Sequence, residues 1–153
     1  LKSTMPHIDI KNFLPHRDPM LFVHQLVAIS EEEATTTFTI REDTLFVTNG
    51  TFAESGLIEN AAQSCSAIIG QRFFEEDDYE GERTKVIGYI SAIKKVQIHA
   101  LPEVGQQIVT QAQLVNTMQT EAFAVSTVQC TVSHEDTLLL EGTLNFIIHE
   151  VTP

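Results

Sequence analysis

The sequence predicts an α+β fold in which one antiparallel sheet wraps around a single long helix. Three observations carry this. The 153 residues leave room for one domain with one core. One internal segment, from about Phe52 to Phe74, spaces its apolar residues at helical steps. The segments on either side of it are rich in β-branched and aromatic residues and are separated by turn signals. No repeat, low-complexity tract or Pro/Gly/Ser linker interrupts the chain, so residues 1–153 read as one unit.

Taken in order, Ile8 to Leu14 (IDIKNFL) reads as a short helix or turn that ends at Pro15, because the residue before a proline is pushed out of the helical region. PHRDPM follows as a rigid polar loop. Leu21 to Ile29 and Ala34 to Ile40 flank the short acidic stretch Glu31 to Glu33, the layout of a β-hairpin. Asn49-Gly50 is a turn signal. In the helical segment Ile58, Ala61, Ala62, Cys65, Ile68, Ile69 and Phe73 recur at three- and four-residue steps. Its small residues permit close approach to a sheet, and the one charge between Gly56 and Gly70 is Glu59.

After the acidic stretch Glu75 to Glu82, strand composition returns in VIGYISAI, KVQIHAL, QQIVTQAQLV, AFAVSTVQCTV and TLLLEGTLNFII. Breaks are expected at Pro102 to Gly105, near Asn116 to Glu121, and at His134 to Asp136. Ile108, Thr110, Ala112 and Leu114, and again Phe123, Val125 and Thr127, alternate as in antiparallel strands with one covered face.

Nine basic against 21 acidic residues give a formal charge of −12, which repels nucleic-acid backbones and anionic lipid. With 42% apolar and 20% charged residues the composition is that of a soluble globular protein. No apolar run reaches the ~18–20 residues of a membrane span, and Leu1 to Ile10 lacks the pattern of a signal peptide, so a cytoplasmic protein is expected. Cys65 and Cys130 lie far apart without CxxC spacing and read as buried free thiols. No histidine pair has metal-ligand spacing on a helix, so neither metal nor other cofactor is expected.

Glu59 stands out as a lone ionisable group in an otherwise apolar, small-residue helix. In or near the first turn, its anion would be favoured by the helix dipole, while burial would favour the neutral acid. An ordinary carboxylate near a helix start, paired with Lys or Arg, fits the same position. Gln63, one turn on, shares its face and is placed to hold Glu59 or a substrate carbonyl, or to sit at a subunit contact. Of the histidines, His16 is the best additional base, in a proline-bracketed loop beside Arg17; a structural hydrogen bond is its other reading. His24 reads as a strand-surface or edge residue and His134 as part of a turn. Ser64 and Ser66 lack a GxSxG elbow, and Cys65 lacks a neighbouring histidine, which argues against an activated nucleophile. Backbone N–H groups near Ser55 and Gly56, at the helix start, are candidates for an oxyanion hole.

Three segments resemble the hotdog-fold 3-hydroxyacyl-acyl-carrier-protein dehydratases of the FabZ/FabA type. Leu14 to Val23 (LPHRDPMLFV) is similar to their LPHR-x-P opening. Gly56 to Gln63 (GLIENAAQ) is similar to the start of their central helix. Ile90 to Gly105, ending in PEVG, resembles the strand and turn that follow. A close variant is the group of dehydratase-like hotdog proteins associated with aryl-polyene pigment and lipid synthesis. The resemblance implies a dimer with sheets joined edge to edge and acyl tunnels between subunits. Each site would use a histidine from the loop before the helix of one subunit and a glutamate from the helix of the other. Glu59 and Gln63 match the helix positions. The stretch Leu45 to Ser55, where that family has a His-Phe-Pro loop, contains no histidine.

The implied substrate is an acyl thioester on acyl carrier protein, converted to a trans-2-enoyl thioester by loss of water. Glu59 and His16 are the catalytic candidates. Gln63, Ser55, Gly56, Ile58, Ala62, Asn49 and Arg17 are the substrate-binding candidates, with Ile58 and Ala62 as tunnel wall. Arg17, Arg83, Lys85, Lys94 and Lys95 are available to meet an acidic carrier. Two other functions fit the same residues: a catalytically silent acyl-binding subunit that pairs with a histidine-bearing homologue in a homo- or heterodimer, and a hotdog thioesterase.

Overall fold

A computed structural model describes residues 8–71 and 85–151. Phe73, the acidic stretch 75–82, Arg83 and His7 lie outside the described residues. A short 3-10 turn, Ile10–Asn12, is capped by the Asp9 carboxylate, which accepts from the Lys11 N–H at 3.0 Å. It precedes strands β1 (Gln25–Ile29), β2 (Glu33–Thr39), β3 (Val47–Thr48) and β4 (Thr51–Phe52). Helix α1 (Glu54–Gln71) follows, then β5 (Lys85–Ile98), β6 (Gln107–Gln119), β7 (Ala124–His134) and β8 (Thr137–Val151).

Six strands form one sheet in the order β1-β2-β6-β7-β8-β5, and every neighbouring pair is antiparallel. β5, the next described element after α1, therefore lies at the edge of the sheet opposite β1. Bulges interrupt β1, β5 and β6, at Leu26/Ala28, Ile90/Ala92, Ile93/Lys95 and Leu114/Asn116. Each adds local bend and twist, which curls the sheet around α1. Gly142 serves the same curvature: a Cβ there would stand 2.8 Å from the carbonyl oxygen of Lys95, so only glycine admits the bulged β5 this close.

The helix packs on β6, β2 and β7 and meets β8 only at its margin. Leu57, Ala61, Cys65, Ala67 and Ile68 are buried against Ile108, Val128, Val132, Leu140 and Leu144. Beneath the helix start an aromatic cluster closes the core, with Phe22 centred 6.0 Å from Phe38, 5.9 Å from Phe52 and 5.7 Å from Phe46.

Several expectations change in detail. VIGYISAI and KVQIHAL are one strand, β5, because its two bulges absorb the break between them. β6 continues to Gln119, so the break near Asn116 is a bulge and the turn falls at residues 120–123. The covered face of β7 is the opposite of the one expected. Ala124, Ser126, Val128, Cys130 and Val132 are buried, whereas Phe123 is 41% exposed and Val125 and Thr127 are half-buried. Phe123 belongs to the turn before β7, so the alternation counts from Ala124, and the inner face mixes small residues with Val128 and Val132.

Candidate active site

The site begins with the loop before β1. Its backbone has no strand partner at Met20 to Phe22, and α1 supplies one from side chains. Gln63 accepts from the Phe22 N–H through Oε1 at 2.8 Å and donates from Nε2 to the Met20 carbonyl at 2.8 Å. Asn60 donates from Nδ2 to the Phe22 carbonyl at 2.6 Å. Asn60 is completely buried and Gln63 nearly so. Two amides one helical turn apart thus satisfy backbone groups that would otherwise be costly to bury.

This clamp orients the carboxylate. Nε2 of Gln63 also donates to Oε1 of Glu59 at 3.1 Å. The clamped loop brings His16 to the same oxygen: Nε2 of His16 stands 3.9 Å from Oε1 of Glu59, with the side chains 31% and 32% exposed. Nδ1 of His16 is buried without a hydrogen-bond partner among the described residues, so Nε2 is the atom it offers. Arg17 holds the loop by donating from one guanidinium nitrogen to the carbonyls of Leu14 at 2.9 Å and His16 at 2.8 Å.

The structure therefore brings His16, Arg17, Glu59 and Gln63 together around one loop. Glu59 is the sixth residue of α1 rather than part of its first turn, so the helix dipole reaches it less than its sequence position suggested. Gln63 has both amide ends engaged within the chain, on Glu59 and on the loop backbone. Ser55 is exposed in the first turn, Ile58 is half-buried and Ala62 is buried. Gly56 is covered by the Phe52 ring. Asn49 and Gly50 (φ 53° and 76°) make the exposed tip of the β3–β4 hairpin, apart from this cluster.

Sequence reasoning missed Asn60. Its signal was only a polar residue on the buried helix face next to Glu59. His24 lies just before β1 and accepts from the Thr39 N–H at 3.0 Å, and Nδ1 of His134 is 2.8 Å from the Gln107 carbonyl oxygen. Both free cysteines are buried; a hydrogen bond to Cys130, then burial, pushes the Cys65 thiol well up, and the same bond pulls Cys130 down. No group of three His, Cys, Asp or Glu residues among the described ones is arranged to hold a metal ion. No described helix is long and apolar enough to cross a membrane.

Beside the helix, part of the inner face of β5 is bare, while Val96 and Ile98 further along pack against the core. Ile90 and Ile93 pair with the inward-facing Phe146 and Leu144 of β8, yet they remain 42% and 49% exposed at the sheet edge. Lys94 and Lys95 are exposed on the same strand, and Lys85 begins it.

A long helix laid in one curled antiparallel sheet, with a clamped loop facing a helix carboxylate, defines a hotdog-fold protein. The chain belongs to the ApeP-like dehydratase family, whose model matches residues 8–151. Its fold is similar to that in the ApeI:P dehydratase heterocomplex of Xenorhabdus doucetiae, at 20% identity and a TM-score of 0.76, over 96% of this chain and 93% of that one. It is also similar to a sigma28-regulated virulence protein of Campylobacter jejuni (14% identity, TM-score 0.63, 86% of this chain and 79% of that one). The PaaI protein of the E. coli phenylacetic acid degradation operon is a further likeness (13%, TM-score 0.53, 81% and 80%). Comparison with curated proteins gave no match.

Proposed function

We propose that this chain is a subunit of a dehydratase that removes water from 3-hydroxyacyl thioesters carried on acyl carrier protein. The observation that carries the reading is the His16–Glu59 pair, two proton-transfer groups 3.9 Å apart at their facing atoms and both open to solvent. The Glu59 carboxylate takes the α-proton, and the released electron pair forms the α–β double bond. The β-carbon–oxygen bond breaks as protonated His16 delivers its Nε2 proton to the departing hydroxyl, giving water and the trans-2-enoyl thioester. The proton then returns from Glu59 to His16 through a water in the gap. Backbone N–H groups of Ser55 and Gly56 are the proposed donors to the thioester carbonyl, and Ile58 and Ala62 the proposed wall of the acyl channel. Arg17 and Lys94 are the proposed cations for an acidic carrier.

A second subunit is part of this reading. The solved structure at 20% identity is a heterocomplex of dehydratase subunits. Here the exposed β5 edge, with Ile90 and Ile93 bare beside it, is where a second hotdog sheet would pair, either another copy or a homologue bearing the loop histidine this chain lacks.

The test is to incubate the protein, alone and with such a homologue, with a 3-hydroxyacyl thioester and follow both enoyl absorbance and free thiol. Enoyl product should form and should fall by roughly 10²–10⁴-fold in Glu59→Gln, and by at least ~10-fold in His16→Ala. Free thiol without enoyl product would make it a thioesterase. Activity only with the homologue, and insensitive to His16→Ala, would leave Glu59 serving a composite site.

A further inference from the structure

The outer face of the sheet, turned away from α1, has an order that the strand registers expose. Across β2, β6, β7, β8 and β5 one row reads Glu33, Gln113, Gln129, Thr143, Lys95. The next row reads Thr35, Gln111, Thr131, Glu141, Gln97. These rows line a hollow of about 670 Å³. Glu141 faces His99 at 3.6 Å, which leaves Glu33 and Lys95 as the charges at opposite ends of their row. Between these charges the middle of the face carries the neutral amides and hydroxyls of Gln111, Gln113, Gln129, Thr131 and Thr143, and charge is depleted in the same way at the centres of protein interfaces.

Further along the same strands the outer face turns apolar. Met118, Val125, Ile147 and Tyr89 form one row. Met118 is 59% and Tyr89 53% exposed, and Phe123 extends the patch. The ring of Tyr89 stacks on His149 at 5.9 Å.

We propose that this face is a self-complementary interface, on which a second copy of the chain packs back to back about a two-fold axis running along β7. Two independent features select that axis. A two-fold along the strands keeps each row opposite itself, so the apolar row meets the apolar row and amides meet amides. It also exchanges the two ends of a row, which sets Glu33 of one copy against Lys95 of the other and Gln129 against itself. An axis across the strands would turn the apolar row onto amides and leave Glu33 without an opposite charge. The resulting arrangement is isologous, with the strands of both sheets aligned, one of the two favoured ways for sheets to stack.

The size is also sufficient. Two outward rows cross five strands and three cross four; at ~4.8 Å by ~6.8 Å per position they give roughly 700 Å² per copy, within the range of a standard stable interface on each partner. The facing hollows enclose a polar, hydrated centre, which interfaces tolerate without being weak. This contact is separate from the β5 edge and independent of the reaction proposed above.

Charge reversal tests it. The mass of the full chain is measured by analytical ultracentrifugation for wild type, Glu33→Lys, Lys95→Glu and the double variant. Each single reversal should halve the assembly mass at equal concentration, and the double should restore it, because the pair is re-formed with its signs exchanged. Met118→Glu, at an exposed position outside the charged row, should also halve it, and every variant should keep the wild-type circular dichroism. A wild type with the same mass as the single variants, or a double variant no heavier than either single, overturns the proposal.

Discussion

The hydroxyl of Thr110 on β6 donates to Oδ1 of Asn60 on α1 at 2.6 Å, and through Asn60 the middle of the sheet is tied to the loop that carries His16. All three groups, the hydroxyl, the amide and the Phe22 carbonyl, are buried. A buried polar group stripped of its partner costs about 1–3 kcal/mol.

Replacing Asn60 by Ala strands both the Thr110 hydroxyl and the Phe22 carbonyl. The expected loss is about 2–5 kcal/mol, a large part of a small domain's stability. Urea denaturation should show a lower midpoint with an unchanged slope. Replacing Thr110 by Val at the same time should cost less than the two single losses added together, since it removes one of the stranded groups. Strict additivity would show that the Asn60–Thr110 bond does not couple helix to sheet.

The helix start offers a second test. A Cβ added at Gly56 would overlap the ring of Phe52, which belongs to the aromatic cluster beneath it. Gly56→Ala should therefore destabilise by about 1–3 kcal/mol, the ordinary cost of overpacking, despite alanine's better helix propensity. Phe52→Leu alone opens a gap, but combined with Gly56→Ala it should recover part of the loss. Thermal melts of the two singles and the double decide it, and a stabilised Gly56→Ala would refute the contact.

The change of period from strands to helix to strands is written in the residues, which is why the α+β architecture and the element order were legible. Glu59 was legible for the same reason, as the one charge between Gly56 and Gly70 in a segment of apolar and small residues. His16 was singled out beside it, but the contact that brings the two together was not legible. It is made by side-chain bonds from Asn60 and Gln63 to the backbone of Met20 and Phe22, and backbone acceptors leave no pattern in a sequence. The β7 face was misread because hydrophobicity and burial diverge there. The inside takes Ala124, Ser126 and Cys130 together with Val128 and Val132, while Phe123, in the preceding turn, and Val125 stand outside. That same exchange is what leaves an apolar row on the outer face.

His24 accepts the Thr39 N–H on Nδ1, and one face of its ring lies 4.4 Å, centre to centre, from that of Phe38, although the residue as a whole remains exposed. Burial lowers its pKa below the ordinary 6.5; the Arg41 charge lowers it further, and the Asp18 charge opposes both. Protonation at Nδ1 would also put a proton where the Thr39 N–H donates. The unfolded chain takes up the proton first as pH falls, so it binds more protons than the folded state between 6.5 and the lower folded value. The stability that His24 contributes is therefore complete above 6.5 and is lost as pH falls through the folded pKa. Melting temperatures measured from about pH 7.5 to about pH 5 should decline over the acid half of that range. His24→Gln should flatten that part of the curve, and Arg41→Gln should move the His24 imidazole resonance titration upward toward its ordinary value. An unchanged slope in His24→Gln, with the His24 resonance titrating at or above 6.5, would show that the Phe38 contact and the Thr39 bond do not favour the neutral ring.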